Sequence, residues 1–114
     1  MHPMMNVEEI REYALSLDDV QEGFPFGTDT LVFKSAGKMF LLVALSAVPL
    51  RFNVKCDPDK AVELRERYSC VLPGYHMNKA NWNTIVVDGQ LSAAQLRQMI
   101  LDSCLLVSKK RARN

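Results

Sequence analysis

Between Leu50 and Cys56 apolar and polar residues alternate without a break: Phe52, Val54 and Cys56 fall on one side, Arg51, Asn53 and Lys55 on the other. Successive side chains of a strand point to opposite faces, so this segment calls for a sheet with one covered face and one wet one. Asp57-Pro58 follows at once and switches the chain from strand to helix. Asp57 reads as the N-cap and Pro58 as the first helical residue, a position where no N–H is needed. The predicted helix runs to about Tyr68, with Ala61, Leu64 and Tyr68 turned inward.

The rest of the chain supplies partners for that unit. Asn6 with Glu9 three residues on is a capping-box pattern, opening a helix to about Leu17 with Val7, Ile10, Ala14 and Leu17 as its buried stripe. A loop follows around Gly23-Phe24-Pro25-Phe26-Gly27, whose two Phe are expected to pin it to the core. Thr30 to Lys34 and Met39 to Leu45 read as strands of a hairpin turned at Ser35-Ala36-Gly37-Lys38. Val71 to Tyr75 is a short extended piece, and Trp82 to Val87 is a strand closed by Asp88-Gly89. Ser92 with Gln95 forms a second capping box, for a helix to about Ser108 with Leu96, Ile100, Ser103 and Val107 on one face. The order αβββαββα predicts an α+β, two-layer domain: a mainly antiparallel sheet with helices packed on one face.

At 114 residues the chain has room for one hydrophobic core, not two. That makes a single domain over residues 1–114, with its core at about 6–108 and a mobile basic tail from Lys109 to Asn114. With 48% hydrophobic and 24% charged residues, the composition excludes a disordered or collagenous chain. The net charge of +1 conceals an acidic first quarter, residues 1–29, ahead of a moderately basic remainder. That balance falls short of the strongly basic character of an obligate nucleic-acid binder. Cys56, Cys70 and Cys104 stand singly with no C-x-x-C, which fits free thiols in a reducing compartment. No signal-peptide pattern opens the chain, and Met39 to Leu45, the longest apolar run, is too short to cross a bilayer. A cytoplasmic monomer without membrane association is the expectation.

One stretch carries the chemistry. Pro73 to Asn83 reads PGYHMNKANWN, and combines the rings of Tyr75, His76 and Trp82 with Lys79 and the amides of Asn78, Asn81 and Asn83. A solvent-facing recognition loop has this make-up, because rings stack on bases while amides and cations meet base edges and phosphates. A plainer reading gives the Asn residues to turn backbone, Trp82 to the core and His76 to a cap. Arg51, Asn53 and Lys55 share one strand face, which Lys34 joins if the hairpin pairs as expected. No three-ligand metal spacing, phosphate loop or dinucleotide motif is present, so no metal, cofactor or catalytic group is assigned.

The segments FPFG (24–27), VFKSAGKMF (32–40), NVKCDPDKAVELRERY (53–68) and PGYHMNKANWNTIVVDG (73–89), in this order, resemble the MmcQ/YjbR family. The resemblance covers the chain from about Asn6 to Val107. It implies a YjbR/CyaY-like fold, a double-wing type of DNA binding, and no catalysis. The positions matching the family pattern include Phe24, Pro25, Gly27, Lys55, Cys56, Pro58, Pro73, Gly74, Tyr75, Asn78, Lys79, Trp82 and Asn83. Members often carry His where this chain has Asn81, and Ser-Tyr where it has Ser103-Cys104.

Two functions follow as expectations. The first is DNA binding, single-stranded or duplex, with Lys55, Lys79 and the basic tail on phosphates, Lys34 and Arg51 on the same sheet face, and Tyr75, His76 and Trp82 stacking or positioning, beside Asn78, Asn81 and Asn83. The second is a protein- or small-ligand-binding adaptor whose pocket lies between the Phe24–Phe26 and Tyr75–Trp82 loops.

Overall fold

The computed structural model describes residues 1–112, with side chains through Ser108. In chain order the elements are α1 (Val7–Leu15), β1 (Val20–Gly23), β2 (Thr30–Ser35), β3 (Lys38–Ala44), β4 (Arg51–Lys55), α2 (Pro58–Arg67), β5 (Val71–Pro73), β6 (Trp82–Val86) and α3 (Ala93–Ala112). α3 continues to Ala112, four residues past the end expected at about Ser108, so most of the segment expected to be a mobile basic tail belongs to the helix, and residues 113–114 of that expectation lie outside the described residues.

Both capping boxes form. The Asn6 side chain accepts the Glu9 N–H at 2.8 Å and the Glu9 carboxylate accepts the Asn6 N–H at 3.0 Å. Ser92 and Gln95 repeat the exchange at 3.1 and 2.8 Å. Asp57 stands at the N-cap of α2 as expected, but its side chain makes no capping bond there. The helix start rests instead on Pro58 and on the Ala61 N–H donated to the Asp57 carbonyl at 2.8 Å.

The six strands form one antiparallel sheet in the order β1-β2-β3-β4-β6-β5. Helices cover one face. Ile10 and Ala14 of α1 and Leu96, Ile100, Cys104 and Val107 of α3 pack with Phe33, Leu41, Val43, Phe52 and Ile85 in the main core. Phe52 and Val54 point into it, so the alternation read at Leu50 to Cys56 holds through β4. Cys56 departs from that expectation. It lies beyond the end of the strand and is only half-buried, with its N–H donated to the Asn81 carbonyl at 2.7 Å.

Two further expectations are corrected. β1 is a strand that no apolar alternation announces, because Val20-Gln21-Glu22-Gly23 is an edge strand held by main-chain pairing to β2. Phe24 and Phe26 do not pin their loop to the core but are 50% and 61% exposed. The loop leaves from the sheet edge, and the helix-side core is already filled by Phe33, Phe40 and Phe52.

The face without helices has a smaller cluster of its own: Val32, Leu42 and Trp82, packed by Met39 and Met77. Met77 comes from the loop after β5, so the segment between β5 and β6 folds back over the sheet's outer face.

Candidate functional site

The loop that the sequence singled out turns sharply at Gly74-Tyr75-His76-Met77, with the Met77 N–H reaching the Gly74 carbonyl at 3.3 Å and His76 at φ +58°. Gly74 is required by close approach. A Cβ there would meet the Trp82 Cβ at 2.8 Å and the Trp82 carbonyl oxygen at 2.9 Å. Two side chains from adjacent strands clamp the next residue. Thr84 Oγ1 accepts the Tyr75 N–H at 2.9 Å and donates to Asn53 Oδ1 at 2.5 Å, while Asn53 Nδ2 donates to the Tyr75 carbonyl at 3.4 Å. Asn53 and Thr84 are direct partners in the β4–β6 register, so the sheet itself fixes where the Tyr75 ring stands.

That ring is 59% exposed. The Arg51 guanidinium lies 5.5 Å from its centroid, and the His76 ring lies 4.1 Å away, tilted by 52°. Beside them opens a cleft of about 460 Å³ on the outer face, walled by Phe26 on one side and Tyr75, His76 and Met77 on the other. Its polar groups include Arg51, Asn53 and Asp29. The cleft therefore combines flat rings on both lips with a guanidinium, an amide and a carboxylate.

Of the residues proposed from sequence, Arg51, Tyr75 and His76 meet at this cleft. The others do not. Trp82, expected to stack, is buried at 8% exposure beneath Met77 in the outer cluster. Asn83 is buried on the helix side, donating to the Ala61 carbonyl at 3.3 Å and accepting from Arg65 at 3.1 Å, so it joins β6 to α2. Asn78 and Asn81 spend polar groups on the turn. Asn78 Oδ1 accepts the Ala80 N–H at 2.9 Å, and the Asn81 carbonyl takes the Cys56 N–H. Lys79 is exposed and reaches the Gly74 carbonyl at 3.4 Å. Lys34 and Lys55 stand four residues along their strands from the row of Thr30, Ala44 and Arg51, about 13 Å away. Lys34 and Lys55 thus stand apart along the sheet and do not join Arg51 at the loop.

Sequence reasoning passed over Thr84, Asn53 as a clamp, Met77, Asp29 and Arg65. Thr84 carried a signal, since it lies two residues beyond Trp82 and so on the same strand face. Arg65 carried none: its bonds to the Lys79 carbonyl at 2.9 Å and to Asn83 cross between segments that only the fold brings together. Among the described residues, no group of three or more His, Cys, Asp and Glu is placed to hold a metal ion. No described helix is long and apolar enough to cross a membrane.

The YjbR family model matches residues 15–106, a span that includes every strand and the whole of this cleft. The chain belongs to the YjbR family. YbdF, an uncharacterized protein of Escherichia coli, is 41% identical over 101 residues, covering 88% of this chain and 82% of its own. Escherichia coli YjbR, also uncharacterized, is 25% identical over 96 residues, covering 84% and 81%. Among solved structures, the Deinococcus radiodurans protein DR2400, of the domain family DUF419, aligns with a TM-score of 0.87 at 38% identity. That alignment covers 95% of this chain and 82% of DR2400. A structural-genomics protein from Pseudomonas syringae aligns with a TM-score of 0.76 at 26% identity, covering 90% of this chain and 98% of its own. The YjbR fold thus accounts for the α+β architecture expected from the strand pattern.

Proposed function

We propose that this YjbR protein is a binding module, not an enzyme, and that its outer-face cleft takes up an unpaired base of a single-stranded nucleic acid. The observation that carries the reading is the Tyr75 ring, exposed and yet held by the Asn53–Thr84 clamp, lining one cleft with Phe26 and with Arg51, whose guanidinium lies against the ring. A ring held in place loses little conformational freedom when a base stacks on it. The carboxylate and amide of Asp29 and Asn53 then offer hydrogen-bonding groups to the base edge. Against catalysis by a cysteine–histidine pair, Cys56 and His76 are on opposite sides of the sheet. Cys56 lines the groove between α2 and α3 while His76 lines the outer cleft, and burial pushes the Cys56 thiol above its ordinary pKa. Free thiols at Cys56, Cys70 and Cys104 support a place in the reducing cytoplasm.

Fluorescence anisotropy with labelled single-stranded and duplex oligonucleotides tests this at two salt concentrations. Binding should favour the single strand, weaken as salt rises, and fall by roughly 1–3 kcal/mol per stacked base in Tyr75→Leu. No binding tighter than about 100 μM at low salt would remove nucleic acid as the ligand. The cleft volume of about 460 Å³ also suits a small ligand or a side chain of a partner protein. Such a ligand would bind with little salt dependence, which separates the two readings.

A further inference from the structure

A groove larger than the outer-face cleft lies on the other side of the sheet. α2 rests on β5 and β6 while α3 rests on β3 and β4, so the two helices splay and leave a groove of about 550 Å³ between them. Val54 and Ile85 of the sheet, Leu64 of α2 and Met99 and Leu106 of α3 give it an apolar lining. Leu105 stands at the edge half-exposed. The two lips differ in charge. α2 contributes Lys60 and Arg67, seven residues and about 10 Å apart, both exposed. α3 contributes Gln95, Gln98 and Asp102, and the Asp102 carboxylate already accepts from Gln98 Nε2 at 2.8 Å. Asp57 completes the charged rim at the start of α2.

We infer that this groove binds a small amphipathic monoanion, such as a medium-chain fatty acid, with its apolar body along Leu64 and Met99 and its head group against Arg67 near the end of α2. Its volume falls within the range of small-molecule sites, and its lining would shed water onto an alkyl chain or aromatic ring. Arg67, ten residues along α2 from Asp57, gives the anionic head a partner at the end of the lip away from that carboxylate, while Lys60 stands three residues from it. Nothing in this site is shared with the outer-face cleft, so the inference stands or falls independently of nucleic-acid binding.

The full chain is titrated with anilinonaphthalene sulfonate, whose rings and single sulfonate mimic such a ligand, with its fluorescence as readout. Saturable binding is expected, displaced by decanoate roughly tenfold more effectively than by decanol. Lys60→Glu with Arg67→Glu should weaken the probe by a similar factor while leaving the thermal transition in place, since both side chains are exposed. Met99→Trp should abolish binding by filling the groove. If that variant fails to fold, the charge reversal and the decanoate–decanol comparison still decide. Equal competition by decanol, binding unmoved by the charge reversal, displacement by single-stranded oligonucleotide, or no saturable binding would each overturn the inference.

Discussion

Ser103 shows how one hydroxyl repairs a break in the sheet. The register between β2 and β3 slips at Phe33/Lys34, and Leu41–Val54 is the first pair of the β3–β4 ladder. Beyond it, Ser103 Oγ donates to the Phe40 carbonyl at 2.5 Å and accepts the Lys55 N–H at 2.8 Å. The hydroxyl is fully buried, so Ser103→Ala would strand a donor and an acceptor together, at about 1–3 kcal/mol for each unsatisfied group. Denaturant unfolding should show that loss as a lower midpoint at unchanged slope. A variant as stable as the parent would mean that water or a local shift replaces the bonds. Gly74→Ala acts through sterics: the added methyl overlaps the Trp82 backbone and Cβ. Overpacking of this kind costs roughly 1–3 kcal/mol, and the loop that carries Tyr75 should move with it.

At the scale of elements, the loop between β5 and β6 is a lid on the outer face whose position depends on two strands. Thr84→Val keeps the shape of the side chain and removes both clamp bonds, leaving the Tyr75 N–H and Asn53 Oδ1 without that partner. A stability loss of about 1–3 kcal/mol is expected, together with weaker oligonucleotide binding, although Thr84 itself is 2% exposed and touches no ligand. Binding that is unchanged in a folded Thr84→Val protein would show that the clamp does not position the ring. Much of this framework was legible before the fold was known. Period-two alternation placed β4, and the Asn6–Glu9 and Ser92–Gln95 pairs marked two helix starts, because each is a short-range pattern with a local physical cause. β1 was not legible, since an edge strand needs no apolar period, and the same strand sends Phe24 and Phe26 outward instead of into the core. In the site, the residue types of Pro73 to Asn83 drew attention to the loop but did not tell the exposed Tyr75 from the buried Trp82. Which ring is exposed depends on the reversal at Gly74–Met77, a long-range consequence of pairing with β6.

For the molecule as a whole, the acidic first quarter carries its own counter-charge: Arg11 of α1 pairs with Glu22 of β1 at 2.5 Å and ties the first helix to the edge strand. The guanidinium holds the Glu22 carboxyl below its ordinary pKa, chiefly through their hydrogen bond. A carboxylate with a depressed folded pKa contributes stability that is present above its unfolded value, about 4.3, and lost as the pH falls through the folded one. Burial acts at the other end of the scale, pushing the Cys56 and Cys70 thiols above their ordinary value. A group with a raised folded pKa contributes fully below its unfolded value, about 8.5 for a thiol, and loses that contribution as the pH climbs through the folded value. The stability curve should therefore fall on both flanks for different reasons, and two substitutions separate them. Arg11→Gln should lie slightly below the parent at neutral pH and merge with it in acid, because the pair is exposed and ceases to exist once Glu22 is protonated. Cys70→Ala should lie below the parent at neutral pH for the packing lost, and close part of that gap above pH about 9, where only the parent must bury or ionise a thiol. Thermal midpoints from about pH 2 to about pH 10 would register both convergences. Parallel curves across the whole range would show that neither group is linked to folding.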